Sequence, residues 1–156
     1  MKIGLILALA LTLVAIGSAA TDEEILRAAK TLLLSNDPAA NVTIIGPDGL
    51  TKRSEFGSHL NITMGKDTLM IAEDITNDFV SAPESYIGHR LLYMTEVAEN
   101  IFQQCPGRFK KLDLTVYDPS NALIAHATLA ASSTTKPEFQ SFENPPRAFF
   151  PDVKIT

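Results

Sequence analysis

Between Asn41 and Asp74, the sequence consists of short β-branched and aliphatic runs that turn residues separate, and apolar and polar side chains alternate most clearly in one of them. The clearest run, Leu60–Met64, is followed by Gly65-Lys66-Asp67. A period of two is typical of a strand with one buried face, and Gly, Pro and Asp favour the turns that join antiparallel neighbours. The pattern predicts two antiparallel hairpins, over 42–53 and 60–72. Such a sheet has one face toward the core and one toward water.

Two amphipathic segments predict helices on either side of these strands. Thr21 and Glu24 form a capping-box pattern, which predicts a short helix that ends before Pro38. A second capping box begins at Ser81, and apolar residues then recur every three or four positions from Ile87 to Phe102. This second segment predicts one long helix.

A last pair of alternating runs predicts a third hairpin. Leu112–Val116 and Ala122–Ala130 flank the turn sequence Asp118-Pro119-Ser120-Asn121. We find no alternation of helices with continuously apolar strands, which argues against a doubly wound parallel sheet. The expected fold class is α+β: an antiparallel sheet of about six strands, one long helix packed on a face and a short N-terminal helix.

The first twenty residues resemble a secretory signal peptide. Lys2 precedes an apolar run, 3–16, and Ser18 and Ala20 lie where a signal peptidase recognises small residues. The apolar run is shorter than the roughly 20 residues that a spanning helix needs. We therefore expect a signal peptide at 1–20, one domain at 21–131 and a C-terminal extension at 132–156. The expected product is secreted or periplasmic, with no stable membrane anchor after cleavage.

Composition and charge exclude several classes of function. The 156 residues carry a net charge of −5 without a basic cluster, which argues against a nucleic-acid partner. The glycines are scattered singly, so no phosphate-binding loop or cofactor is expected. The single Cys105 follows the long helix and fits packing better than nucleophilic catalysis.

The titratable residues give no motif of a known site. His59, His89 and His126 lack the close spacing of metal ligands, so no metal site is expected. The acidic run that holds Glu73, Asp74 and Asp78 lacks the central Gly and closing Glu of an EF-hand, which favours a solvated loop.

Two further features carry candidate sites. The C-terminal extension is rich in Pro and contains four Phe that we interpret as a partner-binding strip or as a wrap over the protein's own sheet: Phe139, Phe142, Phe149 and Phe150. Asn41 and Asn61 each begin an N-x-Thr sequon, which matters for glycosylation only in a eukaryotic host.

The leading hypothesis is an exported, small, non-enzymatic binding or protein-interaction module. Its partner is another protein or a small apolar ligand, bound through the sheet face or the C-terminal extension. The alternative is a small enzyme with a sheet-lined pocket, in which His126 and Asp113 act as general acid and base. No catalytic residue is identified by a motif, and spacing along the chain does not establish whether His126 meets Asp113.

Overall fold

A computed structural model describes residues 19–55, 57–75 and 84–133. Within these ranges, two α-helices and six strands follow one another, and a 3-10 turn at Ala131–Ser133 comes after them: α1 Asp22–Asn36, β1 Asn41–Gly46, β2 Gly49–Arg53, β3 His59–Met64, β4 Thr68–Asp74, α2 Glu84–Gln104, β5 Lys111–Tyr117 and β6 Leu123–Ala130. The α+β class and the six-stranded sheet are confirmed. Within the described ranges, no helix is long and apolar enough to cross a membrane.

The sheet is mostly antiparallel, and its spatial order equals its order in the chain, β1-β2-β3-β4-β5-β6. The three predicted hairpins are confirmed, as β1/β2, β3/β4 and β5/β6. The prediction of a wholly antiparallel sheet was wrong for one pair of strands, because β4 and β5 are parallel. The reason is the connection: parallel neighbours require a crossover, and here α2 lies between them in the chain.

The N-terminal helix begins where the capping box predicts. The Thr21 hydroxyl accepts a hydrogen bond from the Glu24 amide at 3.3 Å, and the Glu24 carboxylate accepts one from the Thr21 amide at 2.8 Å. The helix runs for 15 residues, so the prediction of a short helix was wrong. No Gly or Pro interrupts the segment before Pro38, and helix formation therefore continues to the turn.

Both helices pack on the same face of the sheet. Ile25, Leu26, Ala29 and Leu33 of α1 are buried together with the α2 residues Ile87, Leu91, Met94, Val97, Ala98 and Ile101. Alternate strand residues, among them Leu50, Ile62, Ile71 and Leu114, complete the same core. The contact between sheet and helices is therefore one continuous apolar layer.

The turn between β5 and β6 follows the predicted chemistry. Asp118 Oδ1 accepts hydrogen bonds from the Ser120 amide, the Ser120 hydroxyl and the Ala122 amide, at 2.8, 2.7 and 2.8 Å. The Ser120 hydroxyl and these amides lower the pKa of Asp118. Asn121 takes a left-handed φ of 66°, which Asn tolerates better than most residues. This turn reverses the chain so that β6 pairs antiparallel with β5.

Several predictions lie outside the described residues. They are most of the signal peptide, the Ser81 cap of the long helix, Asp78 and the four Phe of the C-terminal extension.

Candidate functional site

The sheet face opposite the helices is the candidate site, and we call it the open face. Within the described residues, both helices lie on the other side of the sheet. Strand register places the following residues of neighbouring strands side by side across its middle, all of them polar except Ala72: Thr43, Thr51, Asn61, Ala72, Thr115 and His126. All six are at least partly exposed. The middle of the open face is therefore an uncharged, mostly polar strip rich in threonine, and charged residues such as Asp74 and Asp113 lie on either side of it.

The structure brings together the two residues of the acid/base hypothesis. His126 Nε2 lies 2.9 Å from Asp113 Oδ1 on the open face. Their side chains are 40% and 33% exposed. An ionised carboxylate only accepts hydrogen bonds, so Nε2 donates its proton to Asp113 and Nδ1 is the basic nitrogen of the neutral ring. The pair can bind a polar group or exchange a proton with one, in contact with water.

A second histidine and carboxylate lie on the open face at the other end of the strands. His59 and Asp74 are register partners of β3 and β4, and His59 Nδ1 lies 4.0 Å from Asp74 Oδ2. This separation is too long for a hydrogen bond but short enough for an ion pair when the ring is protonated. The open face thus carries two histidine–carboxylate pairs.

Two exposed apolar side chains lie on the open face near the β1/β2 turn and on β4. Ile45 is 62% exposed and lies over Gly49, where the absent side chain leaves room for it. Met70 is 38% exposed and reaches toward Gly65. A partner that covered them would add apolar contact to a polar surface, as the centre of a protein interface does.

On the helix side, Glu73 is buried and paired with Arg90. The Glu73 side chain is on β4 and only 1% of the residue is exposed, while Arg90 of α2 donates two hydrogen bonds to it, one of them from Nε at 2.8 Å. Burial raises the pKa of Glu73, although the guanidinium opposes this effect. The expectation of a solvated loop was wrong for this residue, because β4 continues through Asp74.

A second cation, Lys52, lies between the helices and the sheet close to the Glu73–Arg90 pair. Lys52 of β2 is 8% exposed, and its Nζ lies 3.1 Å from Asp37 Oδ2 and 3.4 Å from the Tyr93 hydroxyl. The Arg90 guanidinium lies 4.8 Å from the centre of the Tyr93 ring. Lys52 and the half-buried Arg90 each have a carboxylate partner, so these residues join the helices to the sheet and need no ligand.

The sequence pattern could have predicted the Glu73–Arg90 pair. Glu73 continues the alternation of Leu69 and Ile71, and Arg90 lies three positions after Ile87 on the apolar stripe of α2. An acid on the buried face of a strand and a base beside the apolar stripe of the helix packed on that strand indicate an ion pair between the two elements.

The structure also places the cysteine and the two sequon asparagines that the sequence singled out. Cys105 is buried, its thiol lies 3.1 Å from the Ile101 carbonyl oxygen, and burial raises its pKa to about 11, which supports packing over nucleophilic chemistry. Asn41 is exposed and Asn61 half-buried, both on strands and on the open face. Among the described residues, no group of three His, Cys, Asp or Glu could hold a metal ion.

Comparison with protein-family models, curated protein sequences and solved structures finds no match to this chain.

Proposed function

We propose that this protein is an exported, non-enzymatic module that binds another protein through the open face. The main support for this proposal is the placement of both helices on one side of the sheet. The polar and charged side chains of the other side can then contact a partner protein. Export is proposed on the strength of the leader pattern at residues 1–20.

The dimensions of the open face favour a protein over a small ligand. Five strand spacings of about 4.8 Å make the sheet about 24 Å wide, and strands of about six residues make it about 20 Å long. The resulting area of about 480 Å² is more than half of the about 800 Å² that each partner buries in a standard interface. Its threonine and asparagine side chains also suit a hydrated polar surface better than a small apolar ligand.

Site-specific photocrosslinking in the cells that make the protein tests this proposal. A benzophenone amino acid is placed at Thr128, which is exposed on the open face, and as a control at Glu96, which is exposed on α2. We expect one defined adduct from Thr128, none from Glu96, and loss of the adduct when Met70→Asp is added. A third position, Phe142, tests the C-terminal extension. An adduct from Phe142 or Glu96 without one from Thr128 contradicts the proposal.

A second candidate function is acid/base catalysis, and the 2.9 Å contact between His126 and Asp113 favours it. Asp113 holds the imidazole in one tautomer, which is the role of a carboxylate beside a catalytic base. The exposure of both side chains argues against it, because water competes with a substrate for the ring.

Hydrolysis of p-nitrophenyl acetate separates the two functions. If His126 is a general base, His126→Gln lowers the rate by roughly a hundredfold, which is the lower range of such catalysis, and His59→Gln leaves it unchanged. The binding proposal expects equal background rates for wild type and both variants. A loss confined to His126→Gln assigns the protein to the enzyme class.

A further inference from the structure

The outer edge of β1 is a second candidate binding surface, separate from the open face. Strand β1 lies at one end of the sheet, and within the described residues no strand pairs with its outer side. Its sequence, Asn-Val-Thr-Ile-Ile-Gly, contains no charged residue and no proline. Edge strands are normally protected by charges, prolines or bulges, and here a bulge near Ile45 is the one such feature. The regular stretch 41–44 is therefore competent to pair with another strand.

We infer that a second copy of this chain occupies this edge, through antiparallel pairing of β1 with β1. A two-fold axis perpendicular to the sheet at Thr43 places Thr43 opposite its own copy and Val42 opposite Ile44. Val42 and Ile44 both lie on the helix side, where Val42 is 5% and Ile44 is 37% exposed. The pairing covers Ile44 and extends the apolar layer across the axis.

The absence of charge on β1 favours a second copy of the same strand over a charged partner strand. An uncharged strand pairs with itself without placing like charges opposite one another, although the chain as a whole carries −5. The paired copies form one twelve-stranded sheet with both open faces on the same side.

Disulfide trapping tests the register of this pairing. The full gene product is expressed in a host without N-glycosylation, purified and exposed to copper phenanthroline. Directly opposed antiparallel residues have Cα atoms about 4.5–5.5 Å apart, which a disulfide can bridge. We expect Thr43→Cys to give a covalent dimer that reductant reverses. Thr51→Cys, in the next strand at the same level, serves as the control and stays monomeric under denaturing conditions.

Sedimentation equilibrium supplies the second measurement. We expect a wild-type dimer whose dissociation constant rises roughly tenfold or more in Ile44→Lys, because two ammonium groups then meet near the axis. Leu123→Lys makes the same change at an exposed apolar residue of β6 and leaves the dimer intact. Circular dichroism confirms that each variant is folded. A monomeric wild type, or a dimer disrupted by Leu123→Lys but not by Ile44→Lys, overturns the inference.

Discussion

Replacing Arg90 with Met is expected to lower the free energy of unfolding by about 3–5 kcal/mol at neutral pH, because it leaves the Glu73 carboxylate buried without its partner. Urea denaturation of wild type and variant measures the difference. The matched control is Arg27→Met on α1, where Arg27 and Glu23 form an exposed pair at 2.6 Å with side chains 72% and 71% exposed. Removal of that pair costs less than about 1 kcal/mol.

The double variant Glu73→Met, Arg90→Met distinguishes a lost partner from lost packing. It removes both charges and is expected to be more stable than Arg90→Met alone, since no unpaired charge remains in the interior. If Arg90→Met costs no more than Arg27→Met, or if the double variant is the less stable of the two, the buried ion pair does not have the assigned role.

The raised pKa of Glu73 also determines whether the free energy of unfolding rises or falls with pH. The folded carboxyl keeps its proton to a higher pH than the unfolded one, whose ordinary pKa is 4.5. Between these two pKa values the folded chain binds more protons, so this contribution to stability is lost as the pH rises through the folded pKa. Relative to the double variant, wild type is therefore expected to lose stability as the pH rises above 4.5.

Replacing Leu114 with Ala is expected to lower the free energy of unfolding by about 2–5 kcal/mol. Leu114 is 0% exposed at the centre of β5, opposite Ile71 in the parallel pair with β4. The next residue, Thr115, lies on the open face, and Thr115→Ala is expected to cost less than about 1 kcal/mol. Thermal and urea denaturation compare the two variants. A larger loss from Thr115→Ala would mean that the faces of β5 are assigned the wrong way round.

Local patterns predicted most of the fold because each depends on nearby residues. The capping box at Thr21, the alternation of Leu60–Met64 and the turn at Asp118 each act within a few positions. The parallel pairing of β4 with β5 depends instead on where α2 returns the chain, which no local pattern records.

The candidate site was predictable only in part for the same reason. Asp113 and His126 lie on strands expected to form a hairpin, but their contact depends on a diagonal register across that hairpin. Glu73 appeared solvated because its acidic neighbours hid the alternation that it continues. Its partner Arg90 lies on an element 17 positions away, where only packing brings the two together.

The central claim is that the open face is available to a partner, and solvent paramagnetic relaxation measures this availability directly. An uncharged gadolinium chelate is added to the isotopically labelled, purified protein, and methyl relaxation is recorded by NMR. We expect strong enhancement at the methyls of Thr43, Thr63 and Thr128 and little at those of Leu69 and Leu112, which are 0% exposed. Threonine methyls as protected as these leucines would show that the protein covers this face itself, and would contradict the account.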